Sequence, residues 1–257
     1  MKRNVFLVSF VLLSLCMFFS CLDDNENTYV SYGVIRNFNS TNNYEIFTDK
    51  GNTLVVTKTG SSQFIENGKR VLVNYSILSD KDKDKKVYEV SVNGFYNLLS
   101  KALVYESFIL QDEEVRRDSI GNDPFNRLYA GFGGEYINIA FDFWFDSYSN
   151  QTHLINLVYD DIRADADTIY LTLYHNAYGE VPDQQYYLSN GTGRCSFKIS
   201  DLLPAGLTSK PVKLTWTQYG YNEPIERSYA GTFKLGDLSE TYSLSHNIEQ
   251  VSSVTIK

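Results

Sequence analysis

The chain has 257 residues, 43% of them hydrophobic and 21% charged, which excludes a disordered polymer, a collagen and a multi-span membrane protein. Aromatics are abundant, with 20 Tyr and 16 Phe against 2 Met, a bias toward sheet over helix. A net charge of −8 argues against a protein that tracks nucleic-acid phosphates, so no nucleic-acid partner is expected.

Residues 1–20 read as an export signal. Lys2 and Arg3 precede an uncharged apolar run from Val5 to Phe19, too short to be read first as a spanning helix. The run ends at Phe18-Phe19-Ser20-Cys21, which resembles a bacterial lipobox. The expected consequence is cleavage between Ser20 and Cys21, with Cys21 as the lipid attachment and the membrane as a partner through that anchor. Residues 21–28, with Asp23, Asp24 and Glu26, form an acidic tether. Acids behind the lipidated cysteine resemble a surface-export signal, so the outer membrane facing the cell surface is expected, with the periplasmic face as the alternative. Cys16 leaves with the signal and Cys21 is acylated, which leaves Cys195 without an intramolecular disulfide partner. It reads as a buried structural thiol.

Residues 29–104 predict a small closed barrel. Val30, Tyr32 and Val34 alternate with Ser31 and Gly33, and Gly33 falls mid-strand where a barrel bends. Tyr44 to Phe47, Leu54 to Val56, Val71 to Ile77 and Tyr88 to Val92 follow between turns. Five or so short, bent strands suit a barrel of the oligonucleotide/oligosaccharide-binding (OB) type. Asp alternates with Lys through Lys81-Asp82-Lys83-Asp84, so this run reads as a solvated turn.

Residues 105–124, rich in charge and closing on Gly121-Asn122-Asp123-Pro124, read as a linker. Residues 125–257 predict a β-sandwich. Ile137, Ile139, Phe141, Phe143 and Phe145 share one face, opposite Asn138, Ala140, Asp142, Trp144 and Asp146. Further strands are predicted over 153–159, 168–175, 195–199, 212–219 and 227–235, with 242–257 as an added edge. The fold class is therefore all-β, a five-stranded OB-type barrel followed by a sandwich.

Several stretches resemble a known family. Gly33-Val34-Ile35, Asp49-Lys50-Gly51 and Gly68-Lys69-Arg70-Val71-Leu72-Val73-Asn74-Tyr75 are similar to the N-terminal domain of NigD-like lipoproteins. Tyr136-Ile137-Asn138-Ile139, His153 to Val158, Leu171 to Asn176 and Ser196-Phe197-Lys198-Ile199 resemble that family's C-terminal domain. The resemblance implies an OB barrel followed by a sandwich, and its founding member was proposed as a bacteriocin-immunity protein.

No constellation of nucleophile, acid and base stands out, so no catalytic residue and no cofactor are expected. Gly131-Phe132-Gly133-Gly134 lacks the Lys-Ser/Thr of a phosphate loop and reads as a strand connection. The acids from Asp160 to Asp167 lack the turn Gly and terminal Glu of a calcium loop. His153 and His175 continue apolar strand faces, and a hairpin centred at Ala164 would set them opposite each other. They are the candidate metal ligands, though a metal needs at least one more; the plainer expectation is a hydrogen-bonded buried pair. The function expected is a non-enzymatic surface binding module for a peptide, glycan or protein, of which bacteriocin immunity is one form. A structural subunit of a surface complex and, less favoured, a metal-dependent hydrolase are the alternatives.

Overall fold

Every second residue along the N-terminal strands is apolar, and these side chains converge on one core. A computed structural model describes residues 28–40, 43–60, 65–149, 151–163, 167–180, 188–221 and 223–236. The predicted signal peptide, Ser20, Cys21, all of the tether but Thr28, and the predicted edge strand over 242–257 lie outside the described residues.

The first five strands are β1 (Thr28–Ser40), β2 (Asn43–Thr48), β3 (Thr53–Thr59), β4 (Arg70–Asp82) and β5 (Val87–Asn97). They close a barrel in the order β1-β2-β3-β5-β4, with β3 and β5 parallel and the other pairings antiparallel. Ile35, Tyr44, Ile46, Leu54, Val73 and Val90 are among the side chains filling it. Gly33 is required by close approach: a Cβ there would lie 2.6 Å from Ile46 Cγ2 and 2.9 Å from the Phe47 carbonyl oxygen.

Residues 105–124, expected as a linker, are structured. After β6 (Val104–Tyr105) come α1 (Glu106–Ile109) and α2 (Glu113–Ile120), joined by a 3-10 turn. Ile109 and Ile120 are buried against Val158, which ties the helices to the second domain. Two well-spaced isoleucines in a charged segment give little periodic signal, yet they suffice to dock it.

The second domain packs two sheets face to face. One has the order β11-β8-β7, from β7 (Arg127–Gly133), β8 (Tyr136–Asp146) and β11 (Leu188–Lys198). The other runs β13-β12-β10-β9-β6, adding β9 (Leu154–Tyr159), β10 (Ile169–Asn176), β12 (Ser209–Gln218) and β13 (Ile225–Lys234). The predicted apolar face of Ile137, Ile139, Phe141 and Phe143 lies in the core with Leu157, Leu171, Phe197 and Leu214. Part of the opposite, polar face is buried too, including Asn138 and Ala140, and Asn138 meets Asp49 and Arg70 of the barrel.

Candidate binding site

The site grows from the end of α2 and the end of β10. Gly121 ends α2 at φ +71°, where a Cβ would come within 2.8 Å of the His175 carbonyl oxygen and the Asn176 Cα. The amide of Asn176 donates to the carbonyls of Asp118 and Ser119 at 3.2 and 3.1 Å, satisfying the helix terminus that would otherwise lack partners. Asp123 N–H donates to the His175 carbonyl at 2.7 Å, and the Asp123 carboxylate accepts from Ala177 N–H at 2.6 Å.

These contacts frame an open cavity of about 690 Å³ lined by Arg117, Asp118, Asn122, Asp123, Tyr174 and Tyr178, among others. Arg117 is held by Glu106 and by the Tyr174 hydroxyl. Burial raises the Tyr174 phenol above its ordinary value, so it stays a neutral donor and acceptor. Tyr178 stands half-exposed at the rim. The lining offers cationic, anionic, amide and phenolic groups side by side, suited to a ligand rich in hydroxyls and amides.

Alternation along β10 turns Asn176 toward this cavity and His175 into the sandwich. His175 Nε2 lies 2.9 Å from His153 Nδ1, and His153 Nε2 lies 2.9 Å from Glu180 Oε2. Glu180 also accepts from Ser149 Oγ at 2.5 Å and from Asp146 N–H at 2.8 Å. Phe125 stacks on the His175 ring with centroids 4.9 Å apart, and Phe143 packs against both imidazoles.

Burial, and then the neighbouring His153, push His175 down to about 3, so it is a neutral imidazole near neutral pH. Burial alone would raise the Glu180 carboxyl, but the hydrogen bonds from Ser149, Asp146 and His153 outweigh it and hold the group below its ordinary value. Glu180 therefore accepts as a carboxylate, and His153 Nε2–H donates to it.

The two histidines thus meet, but not in the expected register. His175 stands opposite Ile155, and Asn176 opposite Leu154, so His153 reaches His175 diagonally. Both nitrogens of His153 are occupied in a line of hydrogen bonds, which leaves no common point for a cation. Among the described residues, no group of three or more His, Cys, Asp or Glu is placed to hold a metal.

The remaining candidates have structural partners. Asp160 accepts from Arg163 N–H, and Asp161 accepts from the Ser107 amide and hydroxyl. Gly133 and Gly134 turn β7 into β8 and cup Asp49, whose Oδ2 would lie 2.7 Å from a Cβ at Gly133. Cys195 is buried, and burial pushes its thiol well up. Glu180 escaped the sequence reading, although its place just past Tyr178-Gly179 signals a turn that brings it back to His153.

Among the described residues no helix is long and apolar enough to cross a membrane. The NigD-like N-terminal OB domain matches residues 32–97, and the NigD-like C-terminal beta sandwich domain matches residues 107–229. A Bacteroides vulgatus ATCC 8482 protein of unknown function is similar in structure, with TM-score 0.66 and 18% identity over 88% of this chain and 100% of that one. A toxin-related protein from Parabacteroides distasonis ATCC 8503 gives TM-score 0.60 and 24% identity over 82% and 96% of the two chains. A NigD-like immunity protein from Bacteroides caccae ATCC 43185 gives TM-score 0.59 and 18% identity over 79% and 92%. No curated protein matches the chain. With both family domains matched in order on the two domains of the fold, the chain belongs to the NigD-like family.

Proposed function

We propose that this chain is a non-enzymatic binding module of the bacterial cell envelope, anchored by a lipid on Cys21, that takes a hydroxyl- and amide-rich ligand in the cavity beside α2 and β10. The observation that carries the reading is the contrast between that cavity and the histidines behind it. The cavity is open and polar, whereas the nearby imidazoles are sealed in the core, His175 turned to His153 and His153 to Glu180. Such a site orients a ligand by hydrogen bonds and keeps both imidazoles away from it.

Ser20-Cys21 after an apolar run supports the anchor, and Asp23, Asp24 and Glu26 support exposure on the outer membrane. A relative described as an immunity protein and another as toxin-related favour a peptide or protein segment as the ligand over a glycan. Peptide and glycan arrays probed with the protein from residue 22 onward test this. A Tyr178→Ala variant should lose the signal while its thermal midpoint is unchanged. Binding that survives Tyr178→Ala and Asp123→Asn together would move the site elsewhere. Cys21→Ala should release the full-length protein from the membrane fraction; retention there would refute the anchor.

A further inference from the structure

We propose that the barrel end at Tyr29, Ile77 and Leu78 rests on the lipid bilayer, so that the anchored protein touches the membrane with protein as well as lipid. The inference rests on the reading of Cys21 as the anchor. Tyr29, Val30, Ile77 and Leu78 are all exposed, at 42, 44, 37 and 45%, at the end of the barrel where β1 begins. The Tyr29 ring stacks on Tyr75 of the barrel core at 5.7 Å, so it caps that core toward solvent. Ile77 lies two residues beyond Tyr75, the partner of Tyr29 in the β1–β4 ladder, within reach of it across the strands.

Leu78 is the informative residue. The β4–β5 register shifts between Ile77 and Ser79, so Leu78 is the unpaired residue of a β-bulge. Bulges re-aim a side chain and are retained where that is useful. Here the bulge leaves a leucine half in water, where a solvated strand edge would ordinarily show a polar group.

The length of the tether names the occupant. Thr28 pairs with Ser76 in an antiparallel ladder, so β1 begins at the end of the barrel that carries Ile77 and Leu78. Only the six residues 22–27 separate the acylated cysteine from Thr28 at the start of β1, a span of at most about 25 Å even when fully extended. The apolar rim is thus confined close to the headgroups. The neighbouring hairpin from Asp80 to Lys86 holds four lysines and three aspartates, a slight excess of positive charge in a chain of −8, and so adds no repulsion from anionic lipid. Exposed apolar side chains held at the lipid boundary by the anchor bury their surface in the interface and so add to the contact.

The test places an environment-sensitive fluorophore on Leu78→Cys or, as a control on the sandwich, on the exposed Leu207→Cys. Cys195 is buried and does not compete for label. The full lipidated protein is reconstituted into phosphatidylethanolamine–phosphatidylglycerol vesicles whose acyl chains carry bromine. The expected result is a blue shift and loss of fluorescence at position 78 with neither at 207. A protein that floats with the vesicles while label 78 behaves as label 207 overturns the docking and leaves the anchor standing. A blue shift without bromine quenching assigns the rim to a second copy or another protein, which also overturns it. A protein that does not float with vesicles overturns anchor and docking together.

Discussion

Arg70 grips Asp49 with both arms of its guanidinium, Nη1 to Oδ1 at 2.6 Å and Nη2 to Oδ2 at 2.8 Å. Both residues belong to the barrel, and their side chains are only 1% and 3% exposed. Their remaining hydrogen-bonding capacity is met by the sandwich. Arg70 Nε donates to Ser196 Oγ at 3.0 Å, Nη2 to Asn138 Oδ1 at 2.9 Å, and Asn138 Nδ2 to Asp49 Oδ2 at 2.8 Å. The guanidinium also lies 3.9 Å from the centre of the Tyr136 ring. A buried ion pair is tolerable when its other donors and acceptors are satisfied, and here that requires both domains in place.

Removing one partner strands the other charge in the seam. Asp49→Ala should cost about 3–5 kcal/mol and lower the urea midpoint reported by Trp144 and Trp216, although both tryptophans lie in the sandwich. An Asp49→Ala, Arg70→Met double variant should recover much of the loss. A barrel substitution that leaves the sandwich transition unmoved would show the domains to be uncoupled.

Acid should loosen the sandwich. His175 is held at about 3 in the fold against 6.5 ordinarily, so below pH 6.5 the unfolded chain takes up a proton that the folded chain refuses. Stability is whole above that pH and declines as pH falls toward 3, by roughly 1.4 kcal/mol per unit within the window. Glu180, lowered from 4.5, acts in the same direction further down: its contribution is present above pH 4.5 and lost as pH drops through the folded value. Urea midpoints at pH 7.5 and 5.0 should differ clearly in the parent and much less in His175→Gln. Equal pH dependence in both would remove His175 from the explanation.

Cys195 should be inert while the protein is folded. Burial raises the thiol far above its ordinary range, so almost no thiolate exists to attack a reagent. In the protein from residue 22 onward, whose one cysteine is Cys195, iodoacetamide at pH 8 should leave the native state unmodified by mass and label it fully in urea. Rapid labelling under native conditions would mean that β11 opens locally.

Trypsin should spare Arg116 and Arg117 in the native state. Arg117 is paired with Glu106, and Arg116 sits over Phe108 with 3.7 Å to the ring centre, on helices docked by Ile109 and Ile120. Ile109→Ala, costing about 2–5 kcal/mol where it docks, should expose this segment and yield two fragments. Early cleavage of the parent at these arginines would instead reveal a loosely held connection.

Strand alternation made most of the fold legible. One apolar residue in two, from Ile137 to Phe143 or from Val71 to Tyr75, can bury its face only in a sheet. The helices at 106–120 were hidden because Ile109 and Ile120 carry their docking among charged neighbours. The histidine pairing was visible as a shared face but displaced by two residues, since no two-residue turn signature between Tyr159 and Ile169 fixes the register. Asp49, Arg70, Asn138 and Ser196 were beyond reach as a unit: four polar residues far apart in sequence share no local pattern. The cavity was equally hidden, being framed by a helix terminus that composition had assigned to a linker.

The pairing of β1 has a mechanical consequence. Thr28 to Val34 are registered against Arg70 to Ser76 on one flank, and Gly33 to Arg36 against Glu45 to Thr48 on the other. A pull at Thr28 along the strand therefore loads the ladder in shear, where many hydrogen bonds must fail at once and cannot be peeled one by one. Rupture under load follows the unfolding rate rather than the equilibrium stability. A protein fastened through this strand would thus resist tension best at the very point where the leash joins the fold.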